Sequence, residues 1–449
     1  MSIRKFDVFV IGSGSAGQTV AKTCAKSGLK VAIADNKVYG GTCPNRGCDP
    51  KKVLLGATEV WQTANNLKEK GIDTSPKLKW KKLQKFKRTF TKSVPAATES
   101  NLKDLGIQLY HQSPKFIDEN TLSVEGKTVR SNKIVIATGQ IPRKLDVEGS
   151  KHLKTSDDFL NLKKIPKNIL FIGAGYIGME FAHMAARAGS KVTIIERGAR
   201  PLTAFDSDLV AHLTNVSKDL GIQFVFNSEL KKIEKLRKNL KIQFKVSGKT
   251  QTQKARMIFN TAGRIPSIAA LNLEKGNIDF SSSGIKVNTY LHSTSNPAVY
   301  ACGDVSDHSL PLTPLSGKEG HTVAENILHG NKKKISTPVV PSAVFTLPNL
   351  ASVGLSEEEA KKRYKNVTVN YESVPSWFNA RRLNEPAYAY KIISNSRTKA
   401  IVGAHLLSGT AAETINLFAM AITNGTTTED LKKMIFTYPS WCNDIKSMV

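Results

Sequence analysis

One pattern occurs twice in this chain, in the same register. Asp7-Val-Phe-Val-Ile11 reads as a short buried strand running into Gly12-Ser-Gly14-Ser15-Ala16-Gly17; a helical pattern follows from Thr19 to Lys26, and a second strand, Val31 to Ala34, ends in Asp35. Asn168 to Ile172 leads likewise into Gly173-Ala-Gly175-Tyr176-Ile177-Gly178, then a helix to about Ala188 and a strand, Val192 to Ile195, closed by Glu196. In both places 23 positions separate the first glycine from the acid. The first glycine makes a tight turn, the second lets backbone approach a pyrophosphate, and the third lets helix and strand pack closely. The pyrophosphate then lies at the helix N-terminus, and the acid reaches a ribose hydroxyl. A lone GxGxxG is weak, but a registered pair predicts two dinucleotide-binding units of parallel α/β type.

Beside the first unit lies Gly40-Gly41-Thr42-Cys43-Pro-Asn-Arg-Gly-Cys48-Asp49-Pro50-Lys51-Lys52. Zinc wants four ligands, and no second Cys or Cys/His pair stands at metal spacing, so no metal site is expected. Two readings of the pair remain: small thiols packed at a helix start, or a dithiol that cycles with a disulfide. Two dinucleotide sites next to it favour the second, with electrons passing from one nucleotide cofactor to another and on to sulfur.

With these motifs the chain resembles the flavin-dependent pyridine nucleotide–disulfide oxidoreductases, the family of glutathione reductase, dihydrolipoamide dehydrogenase and mercuric reductase. The likeness runs nearly end to end and includes Ala137-Thr138-Gly139 after the strand Ile134 to Ile136, Ala262-Gly263-Arg264-Ile-Pro266, and Tyr300-Ala-Cys-Gly303-Asp304. The resemblance implies two Rossmann-like domains, for FAD and for NADH or NADPH, and an α+β C-terminal dimerisation domain. The expected divisions are 1–148 and 273–335 for FAD, 149–272 for NAD(P)H, and 336–449 for the interface of a homodimer. It also implies roles. Cys48 faces the flavin, and Cys43 attacks the substrate. Lys51, with Lys52 beside it, lies near the flavin with Glu180 as its salt-bridge partner. Tyr176 gates the nicotinamide pocket, and Asp304 binds the ribityl chain.

Two departures from the family matter. Its His-Pro followed by a Glu is here Thr437-Tyr438-Pro439-Ser440-Trp441-Cys442-Asn443-Asp444. An imidazole, with a pKa near ~6.5, gives and takes protons at neutral pH, whereas a phenol near ~10 mostly donates. Tyr438 is therefore either the proton donor to a leaving thiolate or only a dimer contact. The second departure is Asp49, whose charge raises a neighbouring thiol's pKa if its side chain points that way. Lys22 and His321 stand where glutathione reductase has two substrate-binding arginines. The C-terminal cysteine pair of mercuric reductases is absent, Cys442 standing alone. Glu196 favours NADH, while Arg197 and Arg200 just after it offer a hold for the extra phosphate of NADPH.

A length of 449 residues predicts about three domains, and five cysteines without a disulfide pattern suit a reducing compartment. Met1 to Lys5 run straight into a strand, and no run of about 18 apolar residues occurs, so a soluble, cytoplasmic protein with no membrane partner is expected. The net charge of +28 raises the question of nucleic acid. Lysines between Lys77 and Arg88 interleave with Trp80, Phe86 and Phe90, but Leu78, Leu83, Phe86 and Phe90 read as the buried face of an ordinary amphipathic helix. Three functions stand: a reductase of a low-molecular-weight disulfide; a flavoprotein whose acceptor is a metal ion, quinone or oxygen; and a basic flavoprotein that mainly binds an acidic partner.

Overall fold

A computed structural model describes residues 3–74, 76–336 and 338–449. The chain divides into two compact units: one of the residues to Val53, Lys85–Arg143 and Gly263–Ser336, the other of Leu54–Gln84, Lys144–Ala262 and the residues after Ser336.

In the first unit the strand Arg4–Ile11 lies between Val31–Ala34 and Lys127–Ile136, all parallel, with Ile11 level with Ala34 and Ile136. Val299–Ala301 adds a further parallel strand beside Lys127–Ile136, its Ala301 opposite Ile136. Val8, Phe9 and Val10 are wholly buried, as expected of a strand covered on both faces. The helices Ser15–Lys26 and Thr313–His329 contribute Val20, Ala21, Cys24, Val323 and Ala324 to the core on one face. Four strands thus end level, and the crevice beyond their carboxyl ends is where a doubly wound sheet takes its ligand.

The second unit repeats this plan in a four-stranded parallel sheet: Ile222–Val225, Lys191–Ile195, Asn168–Ile172, Met257–Asn260. The lysine-rich stretch from Leu230 to Lys254 forms a three-stranded antiparallel meander that buries Ile233, Ile242 and Phe244. After residue 338 a five-stranded antiparallel sheet runs in the order Ser342–Val344, Asn349–Gly354, Ile401–Ser408, Ala389–Asn395, Val367–Ser373, with the helix Ala411–Thr423 packed on it. Lys391, 4% exposed, is ringed by Asp206 at 2.8 Å, Asp208 at 2.5 Å and Glu357 at 3.1 Å, so its buried charge is fully compensated.

The lysine-rich helix, Trp80–Thr91, turns differently from its apolar pattern. Trp80, Gln84 and Lys87 face inward with half-buried Leu83, which packs on the core as its spacing predicts, while Phe86 and Phe90 stand 56% and 50% exposed, packed edge to face on each other. Directed bonds outweigh the phenylalanines: Trp80 Nε1 donates to the Leu162 carbonyl at 2.7 Å and Gln84 Nε2 to that of Leu160 at 3.1 Å.

Candidate active site

At the first fingerprint Gly12 has φ +110°, and its amide donates to the Ala34 carbonyl at 2.7 Å. A Cβ on Gly17 would overlap the Gly12 carbonyl oxygen, so only glycine lets this helix sit on its strand. Asp35 is held ready: one oxygen accepts from the Ser13 amide at 2.9 Å and hydroxyl at 2.6 Å, the other from the Lys37 amide at 2.9 Å. Gly41 packs against Gly14, which delivers the cysteine loop to the start of the first helix. The strands Gln140–Pro142 and Arg264–Pro266 pair antiparallel, so Ala137-Thr138-Gly139 and Gly263-Arg264 meet although far apart in sequence. Burial raises the Asp304 pKa against the pull of Arg264 and of Ser316, whose hydroxyl donates to it at 3.3 Å. The Gly303 amide donates to buried Glu319 at 2.6 Å.

The two cysteines sit on two helices broken at Gly47: Cys43 within Thr42–Arg46, and Cys48 at the start of Cys48–Asn66, followed by half-buried Lys51 and exposed Lys52. Asn45 pins the loop by donating to the carbonyls of Tyr39 at 2.9 Å and Gly41 at 3.0 Å. Both thiols are free; Cys43 is half-buried and Cys48 exposed. Cys48 Sγ lies 3.7 Å from the hydroxyl of Thr313, the first residue of its helix. Its pKa is lowered to about 6, first by the hydrogen bond from Cys43, with Thr313 and Lys51 helping and burial and Asp49 opposing. Cys43 moves the other way, because it shares its proton with Cys48 and is partly buried, and the charges of Cys48 and Asp49 add to this. The two shifts run in opposite directions, favouring the thiolate at Cys48 and the proton at Cys43.

The second fingerprint has the same geometry. Gly173 has φ +101°, and Glu196 accepts from the amides of Ala174 at 2.7 Å and Gly198 at 2.8 Å. Arg200 is spent on backbone, its guanidinium donating to the carbonyls of Pro201, Leu202, Thr203 and Phe205, while Arg197 is exposed. Tyr176 opens the helix 44% exposed with half-buried Ile177 behind it. One turn on, Glu180 is 1% exposed and accepts from the Phe345 amide at 2.9 Å. His183 and Arg187 continue that face: the Leu347 amide donates to His183 Nδ1 at 3.4 Å, and Arg187 donates to the Leu347 carbonyl at 2.9 Å. Burial and the neighbouring arginine drive the His183 pKa far below its usual value, so it stays neutral. Tyr438, 74% exposed, precedes a cis proline in a turn held by Ser440 donating to the Thr437 carbonyl.

The pyridine nucleotide-disulphide oxidoreductase family matches residues 6–320, and that family's dimerisation domain matches residues 340–449. The chain belongs to this family. It is 32% identical to a glutathione reductase of Nostoc sp. over 461 residues, covering 99% of both chains, and 30% identical to a mercuric reductase of Bacillus cereus over 449 residues, covering 99% of this chain and 71% of the relative. Among solved structures, the Cu(II) complex of a mutant of the HOCl-induced flavoprotein disulfide reductase RclA from Escherichia coli superposes with a TM-score of 0.88 at 27% identity, over 99% of each chain. The protein is a FAD-dependent NAD(P)H disulfide oxidoreductase. No helix among the described residues is long and apolar enough to cross a membrane.

The first unit fits FAD. Gly14, Gly139 and Gly263 have open space where a Cβ would stand, and the Thr138 hydroxyl is buried with no partner among the described residues, a polar atom left for a ligand to satisfy. Three supporting residues escape sequence reading. Ser13 and Thr313 are small polar residues whose value lies in what folds onto them, and His183 is visible only as a position three residues after Glu180 on one helical face.

Proposed function

We propose that the chain takes electrons from NADH and delivers them through the Cys43–Cys48 pair to a low-molecular-weight disulfide. The observation that carries this reading is the Cys43–Cys48 pair on a loop that Gly41 packs against Gly14 of the first fingerprint, with the Thr313 hydroxyl 3.7 Å from Cys48 Sγ. FAD, when bound, supplies the two-electron relay between nicotinamide and sulfur. The protein's own part is position and charge. The hydrogen bond from Cys43, helped by Thr313 and Lys51, favours the thiolate at Cys48, while Asp35 takes the adenosine ribose and Asp304 the ribityl chain. Glu180 is fixed by the Phe345 amide for the nicotinamide side, with Tyr176 as gate.

NADH is favoured over NADPH because Glu196 stands at the ribose position and Arg200 is already committed to four carbonyls. Domain boundaries at 148, 272 and 335, a homodimer through residues 336–449, and a cytoplasmic location complete the proposal. Tyr438 is assigned as proton donor to the leaving thiolate. The test is anaerobic reduction of the pure protein by NADH or NADPH, followed by reoxidation with disulfides, Cu(II) and quinones in turn. Reoxidation by small disulfides is expected; turnover with metal ions or quinones alone would displace this reading.

A further inference from the structure

Cys43 Sγ lies 3.8 Å from Asp49 Oδ1, so the sulfur that attacks a substrate works beside a carboxylate. The geometry points to Asp49 as a specificity-determining residue: it directs the Cys43–Cys48 pair to cationic or neutral disulfides and against anionic ones. This deepens the low-molecular-weight-disulfide reading and rests on it.

Asp49 lies in the first turn of the helix Cys48–Asn66, and that backbone sets its distance from Cys43. The titratable groups acting on Cys43 are Cys48 and Asp49, and the hydroxyl of Thr313 also faces it. Lys51 acts on Cys48. The attacking sulfur is thus flanked by a thiolate and a carboxylate. A carboxylate is a poor base for a thiol, since an ordinary carboxyl and an ordinary thiol differ by roughly 4–5 pKa units. Its effect is the field it imposes.

In the exchange, Cys43 sulfur bonds to one substrate sulfur and the substrate S–S bond breaks. The leaving sulfur takes the Tyr438 proton, and the phenol is restored by the proton that Cys43 carried. Cys48 thiolate then attacks Cys43, re-forming the protein disulfide and releasing the second thiolate, which takes a proton from water. Two electrons pass from the dithiol to the substrate. Negative charge grows on the leaving sulfur close to Asp49, and a substrate ammonium group offsets it, whereas a substrate carboxylate adds to it. The net charge of +28 draws anions to the whole surface. Only a local charge can reverse that preference at the sulfur.

The holoenzyme is assayed with cystamine (cationic), hydroxyethyl disulfide (neutral) and dithiodiglycolate (anionic), as wild type and as the isosteric Asp49→Asn. In wild type kcat/KM falls in that order, and Asp49→Asn narrows the cystamine-to-dithiodiglycolate ratio roughly tenfold, the scale of a unit charge about 4 Å away in a hydrated site. Asp49→Glu retains the order. A ratio that does not move in Asp49→Asn overturns the inference. A second readout needs no turnover: in a Cys48→Ser background, iodoacetamide labelling of Cys43 is followed against pH. Removing the Asp49 charge shifts its midpoint down by about one unit. If no small disulfide is turned over, the low-molecular-weight-disulfide reading falls. The midpoint then decides on Asp49 alone: a downward shift upholds its field at Cys43, and an unmoved one overturns it.

Discussion

At the first fingerprint Asp35 accepts from the amides of Ser13 and Lys37; at the second Glu196 accepts from those of Ala174 and Gly198, the same two positions in each unit. The scaffold orients the acid in both, although glutamate is one methylene longer. What differs is attached outside this common core. The first site adds the Ser13 hydroxyl and a loop carrying two thiols, while the second adds a buried carboxylate, Glu180, and an exposed arginine, Arg197. The repeated part of the fold thus orients the acid in both units, and the thiols and Glu180 lie outside it.

The comparison breaks most sharply at the close-packing glycines. A side chain on Gly17 or Gly178 overlaps the carbonyl oxygen of Gly12 or Gly173. Gly17→Val should yield protein without flavin and without activity. Gly178→Val should stay yellow and lose reduction by NADH, yet still be reduced by dithionite; absorbance spectra before and after each reductant check both. If Gly178→Val also loses flavin, the two sites are not separable.

A smaller effect is expected at Glu196. Glu196→Ala should raise the NADPH-to-NADH ratio of kcat/KM about tenfold by removing a charge facing the extra phosphate. A wild type that already prefers NADPH would show that Arg197 suffices. Cys48 sharpens the other side. With its pKa lowered to about 6, its thiolate is present above that value and lost as pH falls through it. The ultraviolet thiolate absorbance of the reduced protein, less that of Cys48→Ser, should therefore drop near pH 6; a midpoint near an ordinary thiol's would contradict the polarised pair. The smallest change is expected at Tyr438. Tyr438→Phe should slow disulfide reduction several-fold in steady state while leaving flavin reduction by NADH untouched in stopped flow. No change in turnover would make the residue a dimer contact only.

Much of the fold was legible because the repeated units obey local rules. The strand Asn168–Ile172 ends where its apolar run does, and Val31–Ala34 begins and ends with its own. The helix Trp80–Thr91 was legible as a helix but not in its facing. Apolar spacing pointed to Phe86 and Phe90, and bonds from Trp80 and Gln84 to distant carbonyls turned another face inward. The site shows the same limit. The cysteines and the two acids announce themselves by spacing. Thr313, 265 positions from Cys48, becomes its neighbour only through the fold. Arg200 looked like a phosphate ligand until its guanidinium was found spent on the turn that follows it. Asp49 was legible as a charge, and only the geometry gives its direction.

Whether nicotinamide electrons reach the Cys43–Cys48 pair can be read on the sulfurs themselves by thiol labelling. The oxidised protein is treated with iodoacetamide before and after anaerobic addition of NADH, and the peptides carrying Cys43 and Cys48 are followed by mass spectrometry. Both should become labelled only after NADH, while buried Cys24 and Cys302 stay unlabelled throughout. Flavin that bleaches with NADH while Cys43 and Cys48 keep the labelling they had before would contradict that transfer.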